Sequence, residues 1–418
     1  MLTHLPPYHP FQPEPAIAPF DIHSVPDEAV DKPSNNELLP KVLNVDKTLE
    51  KTLTTGVAFP PLILGCSTFG YGIYADDDNV KSDMPLRVVR LALRYGINAF
   101  DTSPWYHPSE IILGNVLRAL EYQRDQYYLI TKVGKYGPNP KDHIWEPEVL
   151  KASVNRSLQR LGTDYLDVVY LHDVEYALPL PSYSGKSVMH LQKVLSQPPV
   201  PIAEESKILE GIATLRQLQS QAKVTLVGIA GYPLPVLLRL ALLTLHTTNK
   251  PLDVVQTYGH HTLQNSTLEK GFLQALTEVA RVGRVMSASP LAMGILTSHG
   301  GPSWHPARQI PTLFEATRKA AQFCKSKSTT LQDVALSYGY RPLFQTNGER
   351  VPIVVGCTDL EQVHDTAKRW REVNLTVEDD NEGATEKNAL EEELISFFDE
   401  NGVMNWSWEC PTNTQSVG

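Results

Sequence analysis

Residues 98–106 read Asn-Ala-Phe-Asp-Thr-Ser-Pro-Trp-Tyr, an apolar run that closes in Asp101 and is followed by Tyr106. Two later apolar runs each close in a single polar residue, Lys132 and His172. Neighbouring parallel strands present their carboxyl ends at one edge of a sheet, and α/β folds place their chemistry there. We therefore predict that these four polar side chains converge at one end of a parallel sheet.

Short apolar runs alternate with longer amphipathic stretches from about Pro60 onward, which is the pattern of βα units. The predicted strands are 62–64, 98–101, 128–132, 166–172, 225–230, 253–256, 284–289 and 352–355. The predicted helices are 86–95, 109–120, 147–161, 204–221, 234–245, 267–282, 311–324, 331–340 and 360–370. Eight units of this kind predict an α/β fold, a closed (β/α)8 TIM barrel. A doubly wound open sheet is the alternative, but no G-x-G-x-x-G motif follows the first strand.

The barrel pattern occupies the middle of the chain, and we assign it residues 56–375. Residues 1–55 form a proline-rich N-terminal extension that we expect to be poorly ordered, because its composition offers little apolar surface to bury. Residues 376–418 read as an acidic linker and a C-terminal tail with one short helix. The stretch 174–201, rich in proline and serine, predicts an insertion over the barrel mouth, either a disordered loop or a substrate lid.

The composition narrows the class of partner. The chain has 418 residues, of which 42% are hydrophobic and 20% charged, and a formal net charge of -10. Without a basic excess, broad contact with nucleic acid or an anionic membrane is disfavoured, so we expect a small-molecule substrate. The four cysteines are far apart and the N-terminus lacks a signal-peptide pattern, which predicts a cytoplasmic protein. The oligomeric state stays open.

The four converging residues suit proton transfer. A tyrosine ionises near pH 10, and a neighbouring ammonium lowers that pKa. We expect Lys132 to lower the pKa of Tyr106, Asp101 to hold Lys132 in place, and His172 to hydrogen-bond a substrate oxygen. Tyr106 would then act as a general base.

Two other interpretations use overlapping residues. A metal-dependent hydrolase would gather His172, Asp173, His260, His261 and Asp101 around an ion, but it leaves Lys132 and Tyr106 without a role. A non-catalytic cofactor-binding barrel is the second, because a fold does not fix a function. The complete set of four polar residues favours catalysis over both, and we expect no metal site.

The motifs at 101–106, 109–110, 113–114, 131–132 and 171–173 resemble the aldo-keto reductase superfamily, whose members are (β/α)8 barrels with an Asp, Tyr, Lys, His tetrad. Residues 172–175, 288–297 and 301–307 are similar to its branch of L-galactose and D-arabinose 1-dehydrogenases, most of all to the fungal NAD-dependent members. This resemblance implies oxidation of an aldose, D-arabinose favoured, at the anomeric carbon to the aldonolactone, in D-erythroascorbate-type biosynthesis. The alternative within the superfamily is an NADP-dependent reductase of another carbonyl or sugar.

The resemblance also implies a nicotinamide cofactor site at the same end of the barrel. Its predicted residues are Ala230, Gly231, Gln256, Ser289, Pro290, Leu291, Gly294, Gly356, Cys357, Thr358, Gln362, Asp365 and Thr366. NADP-dependent relatives tend to carry Lys and Arg at the positions of Gly356 and Gln362. A 2'-phosphate needs cationic donors, and neither residue is one, so we expect NAD rather than NADP.

The sugar is expected to bind at loops around the tetrad. Trp105 adjoins Tyr106 and can face a sugar ring. The other predicted substrate residues are His260, His261, Trp304 and His305.

Overall fold

The barrel strands are short, and each is followed by a helical return. The computed structural model describes residues 5–34, 59–178, 185–375 and 381–408. The strands are β1 Leu62–Gly65, β2 Ala99–Asp101, β3 Tyr128–Val133, β4 Leu166–His172, β5 Gly185–Lys186, β6 Val224–Gly231, β7 Val254–Tyr258, β8 Arg284–Ala288, β9 Ile353–Gly356 and β10 Trp406–Ser407. The parallel strands β1 to β4 and β6 to β9 close into a barrel in chain order, which confirms the predicted (β/α)8 fold.

The helices surround the barrel. They are α1 Asp77–Lys81, α2 Met84–Tyr95, α3 Ser109–Ala119, α4 Pro147–Leu161, α5 Leu191–Leu195, α6 Ala203–Ser220, α7 Leu234–Thr248, α8 Phe272–Gln274, α9 Pro311–Ser326, α10 Leu331–Gly339, α11 Leu360–Leu375 and α12 Asn381–Glu400. The helix predicted over 267–282 is wrong, because Gly271, with φ of 95°, separates a 3-10 turn from α8 and a π-helical turn. No helix in the described ranges is long and apolar enough to cross a membrane.

The strands alternate between two apolar layers. Ile63 faces the barrel interior with Tyr170 and Met286, whereas Leu62 and Leu64 pack outward against the helices. Phe59 lies 4.9 Å from Tyr128 between ring centroids, just ahead of the first strand. The apolar interior thus fills the amino-terminal part of the barrel, and the polar residues gather at the carboxyl ends of the strands.

The N-terminal segment is attached to the outside of the barrel by charge pairs. Asp31 accepts hydrogen bonds from Arg87 at 2.9 Å and from Arg90 at 2.7 Å, both on α2. Glu14 accepts from Arg160 on α4 at 2.9 Å. Ion pairs, together with Phe20, Ile22 and Val25 packed on the core, attach residues 5–34 to the barrel, an attachment that the proline-rich composition does not predict. Residues 35–58 lie outside the described part.

The insertion after β4 meets the C-terminal segment beside the barrel mouth. β5 pairs antiparallel with β10, with Lys186 opposite Trp406. The amide of Gln264, which follows β7, donates to the carbonyl of Val403 at 2.6 Å, and the ring of Trp408 stacks on Tyr232 at 4.3 Å. The segment 403–408 therefore docks on loops at the carboxyl end of the barrel. Residues 179–184 of the insertion are outside the description.

Candidate active site

The four predicted polar side chains meet at the carboxyl end of the barrel. Asp101 and His172 are the last residues of β2 and β4, and Lys132 lies near the end of β3. The Lys132 ammonium donates to Asp101 Oδ1 and, at 3.1 Å, to the Thr102 carbonyl. The Tyr106 hydroxyl lies 3.5 Å from His172 Nε2. The structure brings the whole predicted tetrad together.

A capped turn directs Tyr106 toward the other three residues. Ser103 has extended backbone, and its hydroxyl oxygen accepts from the Trp105 amide at 3.1 Å, which begins a 3-10 turn over Pro104–Tyr106. Pro104 suits the first helical position because its missing N–H has no helical partner to lose. Lys132 Nζ then lies 4.8 Å from the centroid of the Tyr106 ring. The order Ser-Pro-Trp-Tyr thus places the phenol above the lysine.

Asp101 is held on both carboxylate oxygens. Gln256, in the middle of β7, donates from its side-chain amide to Asp101 Oδ2 at 3.0 Å. Gln256 was predicted to contact a cofactor amide, whereas the structure shows its nitrogen facing the tetrad carboxylate. The contact links β7 on the far side of the barrel to the Lys132–Asp101 pair, so the pair is fixed from both sides.

Burial dominates the ionisation of the site. Burial, with the carboxylates of Asp101 and Asp173, holds the pKa of the Tyr106 phenol well above its usual value. Any lowering of this pKa by Lys132 is outweighed, because burial and the two carboxylates raise it. Burial, aided by the Lys132 ammonium, also holds the pKa of His172 well below its usual value, so the imidazole is neutral at pH 7.

A second ion pair, Lys135 with Asp173, lies beside the tetrad, and the sequence pattern did not predict it. Lys135 donates to Asp173 Oδ2 at 2.6 Å, and its Nζ lies 4.9 Å from the centroid of the Trp105 ring. Asp173 Oδ1 is 3.8 Å from His172 Nε2. Although burial opposes ionisation, the Lys135 ammonium holds the pKa of Asp173 well below its usual range. Asp173 directly follows β4 and Lys135 lies two residues after the end of β3, a signal that could have identified them.

The side chain of Glu175 explains why position 231, at the end of β6, is a glycine. Its Oε1 accepts from the Tyr232 amide at 2.9 Å, and a Cβ at Gly231 would lie 2.3 Å from its Oε2. Burial and the neighbouring Asp173 carboxylate raise the pKa of Glu175 to about 8. Ala230 pairs with His172 in the sheet, so residues 230–231 lie next to the tetrad, where a cofactor amide was predicted.

The segment after β8 forms a compact turn of left-handed residues. Ser289 has φ of 63° and accepts on its hydroxyl from the Met293 amide at 2.6 Å, and Gly294 has φ of 89°. His305 Nδ1 accepts from the Ala307 amide at 3.0 Å, so its Nε2 carries the proton and donates to the Ala292 carbonyl at 2.9 Å. His305 therefore holds this turn from behind. The predicted cofactor residues Ser289, Pro290, Leu291 and Gly294 all belong to the turn.

The segment between β9 and α11 presents exposed polar groups. Gln362 accepts from the Thr358 amide at 2.9 Å and donates to Asp359 Oδ2 at 2.8 Å. Gly356 and Asp365 are exposed. The side chains of Cys357 and Thr366, predicted to lie at the cofactor, are instead buried, with 3.7 Å between sulfur and hydroxyl oxygen. Thr366 lies on the inward face of α11 and Cys357 directly follows β9, so their contact belongs to the packing of α11 on the barrel.

The loop histidines predicted to bind a sugar have structural partners. His260 is buried and lies 2.9 Å from the Thr257 hydroxyl, and His261 Nδ1 lies 2.7 Å from Glu269 Oε1. With His305 behind its turn, all three predicted sugar-binding histidines have partners within the protein, and their contact with a sugar stays a prediction. Trp304 is partly buried and donates to the Ile73 carbonyl at 2.9 Å, which joins two loops of the rim. Of the predicted substrate residues, Trp105 adjoins the tetrad.

The metal-dependent alternative finds no support in this arrangement. Within the described ranges, no group of three or more His, Cys, Asp or Glu side chains is arranged to hold a metal ion. Asp101 is occupied by Lys132 and Gln256, whereas His261 is occupied by Glu269. These residues are committed to separate contacts.

Comparison with known proteins agrees with the fold and with the motifs. A model of the aldo/keto reductase family matches residues 61–382. L-galactose dehydrogenase of Arabidopsis thaliana is 33% identical over 319 residues, which cover 74% of this chain and 84% of that protein. D-arabinose 1-dehydrogenase of Saccharomyces cerevisiae is 32% identical over 308 residues, which cover 72% and 80% of the two chains.

Among solved structures, an aldo-keto reductase from Bacillus halodurans in its holo form superposes with a TM-score of 0.51 at 20% identity, covering 80% of this chain and 91% of that one. At this identity the superposition shows the fold alone. The family model covers most of the barrel, and the two dehydrogenases align over most of their own length. The chain therefore belongs to the aldo/keto reductase family.

Proposed function

We propose that this protein oxidises an aldose, D-arabinose favoured, at the anomeric carbon to the aldonolactone with NAD. The observation that carries the proposal is the pair of Tyr106 OH and His172 Nε2, 3.5 Å apart above the Lys132–Asp101 ion pair. Two substrate-facing groups at this spacing can both contact one hydroxyl oxygen. The names of the two dehydrogenase relatives supply the substrate class, and D-erythroascorbate-type biosynthesis is the route proposed with it.

The tetrad residues divide the proton chemistry between them. The anomeric hydroxyl lies against Tyr106, whose phenolate form takes its proton, while neutral His172 donates a hydrogen bond to the same oxygen and fixes its position. A bound nicotinamide supplies the acceptor for the hydride from C1. Loss of the O–H proton and the C1 hydride leaves a carbonyl in the ring, which is the lactone.

The rest of the sugar is proposed to bind at Trp105, Lys135 and Asp173. The Lys135–Asp173 pair offers donors and acceptors beside His172, and the Trp105 ring lies against the same ammonium. Sugars present adjacent hydroxyl groups that match such a charged pair and an apolar ring face. This pair replaces the loop histidines as the proposed source of sugar selectivity.

The cofactor site fits NAD better than NADP. Residues 230–231, 289–294 and 356–362 lie at the carboxyl ends of β6, β8 and β9, the end of the barrel that also holds the tetrad. At the predicted position for a 2'-phosphate, Gln362 is bound to the carboxylate of Asp359. An acidic neighbour and the lack of a cation at residues 356 and 362 favour the unphosphorylated ribose.

We also propose that the protein acts in the cytoplasm, as its thiol chemistry suggests. Cys66, Cys324 and Cys357 are free and buried. Buried free thiols are typical of proteins that work in a reducing compartment.

The proposal is tested with a panel of aldoses and both cofactors. We expect NADH formation with D-arabinose, a lactone product, and a lower kcat/KM with NADP. Tyr106→Phe should reduce kcat about 10²- to 10⁴-fold with nearly unchanged NAD binding, because it removes the proton acceptor and little else. Turnover of no aldose, or clear preference for NADP, would count against the proposal.

A further inference from the structure

The orientation of the His172 ring rests on a residue that the tetrad does not include. Ser103 is buried, and its hydroxyl oxygen lies 3.0 Å from His172 Nδ1. The same oxygen accepts a hydrogen bond from the Trp105 amide at 3.1 Å. Ser103 thus contacts both the catalytic turn and the catalytic imidazole.

The direction of the Ser103–His172 hydrogen bond follows from the donors and acceptors that surround the Ser103 hydroxyl. The Trp105 amide is a donor only, so it uses one lone pair of the Ser103 oxygen. Across the described ranges, His172 Nδ1 is the one acceptor within hydrogen-bond distance of this hydroxyl. A buried hydroxyl without an acceptor costs about 1–3 kcal/mol. The hydroxyl therefore donates to Nδ1, which must be unprotonated.

The other ring nitrogen gives an independent indication of the same state. His172 Nε2 lies 3.5 Å from the Tyr106 hydroxyl and 3.8 Å from Asp173 Oδ1. A lone pair on Nε2 would face the Asp173 carboxylate and be repelled, whereas a proton there is attracted to it. Because burial keeps His172 neutral, a single ring proton must choose between the two nitrogens.

We infer that Ser103 is a positioning residue that fixes His172 in the Nε2-protonated tautomer, so that the imidazole donates a hydrogen bond to the reacting oxygen of the substrate. This inference rests on the proposed function only for the identity of that oxygen. The tautomer itself is a property of the protein without substrate. The tautomer matters because an Nδ1-protonated ring would present a lone pair on Nε2 to the substrate oxygen, where a hydrogen-bond donor is needed.

The test is nitrogen NMR of the full chain labelled with ¹⁵N-histidine, because a protonated and an unprotonated ring nitrogen have well separated shifts. His172→Gln serves only to assign the signals. In the wild type we expect Nε2 protonated and Nδ1 unprotonated. In Ser103→Ala we expect a mixture of tautomers, and in Ser103→Thr, which keeps the hydroxyl on an extended backbone, the wild-type state. A wild-type Nδ1-protonated ring would overturn the inference.

Ser109→Ala is the matched control. Ser109 is a buried serine at the start of α3, and its hydroxyl donates to the Cys66 carbonyl at 2.7 Å rather than to His172. Its His172 signals should match the wild type. If His172 keeps the wild-type tautomer in Ser103→Ala, the Ser103 hydroxyl serves only to cap the 3-10 turn, and the inference fails.

Kinetics give a second readout. We expect Ser103→Ala to lower kcat roughly 10- to 100-fold with a smaller change in sugar KM, and Ser103→Thr to restore most of kcat, because the lost hydrogen bond acts in the transition state. An unchanged kcat in Ser103→Ala would contradict the inference. If no aldose is turned over while the tautomer depends on Ser103, the proposed function fails and the positioning role stands.

Discussion

Tyr106 lies in a site that favours its neutral form. Burial and the carboxylates of Asp101 and Asp173 raise the pKa of the phenol, so the phenolate is scarce at pH 7. Oxidation of an alcohol needs a proton acceptor, whereas reduction of a carbonyl needs a donor. We therefore predict that kcat/KM for sugar oxidation rises with pH from 7 to at least 10, and that the reverse reaction shows no such rise. A plateau below pH 9 would show that the phenol is more acidic than the structure indicates.

Lys132→Met extends this prediction. The substitution leaves the Asp101 carboxylate beside the phenol without its ammonium partner, which raises the pKa of Tyr106 further. The pH profile for oxidation should move to higher pH, and kcat at pH 7 should fall. Asp101→Asn combined with Lys132→Met removes both charges and should move the profile back. If the wild type, Lys132→Met and the double variant have the same pH profile, Lys132 has no influence on the pKa of Tyr106.

Lys135 provides a test of sugar recognition that is separate from the chemistry. Its ammonium is paired with Asp173 and lies beside Trp105. Lys135→Met should raise the KM for the sugar about 10-fold or more, the value of one charge-assisted hydrogen bond, while the Kd for NAD stays within about 2-fold. The matched control is Lys141→Met, an exposed lysine on the following loop, which should leave both constants unchanged. An equal rise in both constants would place Lys135 outside sugar binding.

At the scale of elements, the predictable part of the site was the part attached to strands. Strand boundaries follow from apolar runs, so the convergence of Asp101, Lys132 and His172 could be derived before any coordinates. Loop side chains could not, because nothing local distinguishes a histidine facing the mouth from one packed beneath a loop. His260 is buried under the C-terminal segment, whose Ser407 lies 147 residues away along the chain. Only the folded chain shows that contact.

The helix predicted over 267–282 is a second case in which the local sequence pattern was not sufficient to predict the structure. Its apolar spacing is helical, yet Gly271 adopts a left-handed conformation and the continuation winds as a π-helical turn. Local periodicity favoured one long helix, and the backbone freedom of one glycine together with tertiary packing decided otherwise. Around the barrel, where long amphipathic stretches pack on strands, the predicted helices agree within a few residues.

The preference for NAD over NADP can be tested at the junction of β9 and α11. Gln362→Arg puts a guanidinium next to the proposed ribose, and kcat/KM with NADP should rise about 10-fold or more because a phosphate gains a charged donor. Position 362 is the better choice over position 356, since a Cβ at Gly356 would lie 2.9 Å from Thr68 Cγ2. Gln362→Met, which adds no charge, is the control and should not gain activity with NADP. No gain in the arginine variant would place the ribose elsewhere.

In the molecule as a whole, the described segments 5–34 and 403–408 are joined to the barrel by different contacts, in addition to the apolar residues that each packs on the core. The C-terminal segment is joined through the β5–β10 ladder and the Trp408–Tyr232 stack. The N-terminal segment is joined through arginine pairs on α2 and α4. The segments differ in chemistry, so they should respond differently to pH: ion pairs weaken as carboxylates are protonated, whereas ring stacking does not.

Asp31 is the residue through which this difference can be measured. Although burial opposes ionisation, hydrogen bonds from Arg87 and Arg90 lower the pKa of Asp31 from 3.8 to about 2. A folded-state pKa below the unfolded value stabilises the attached state above pH 3.8, and this contribution is lost as the pH falls through 2. The shift corresponds to about 2 kcal/mol at neutral pH.

Asp31→Asn should therefore release the N-terminal segment at neutral pH. Chymotrypsin cleavage after Phe11 or Phe20 at pH 7 should become faster by up to roughly 30-fold, the factor that about 2 kcal/mol represents when opening precedes cleavage. With pepsin near pH 2 the two proteins should be cleaved at rates within about 2-fold of each other, because Asp31 is then about half protonated in the attached state and almost fully protonated in the released state. Asp21→Asn, at an exposed carboxylate that accepts only from the nearby His23 amide among the described contacts, is the control and should match the wild type. Equal chymotrypsin rates for wild type and Asp31→Asn would mean that the segment is held by its other contacts, such as Glu14 with Arg160.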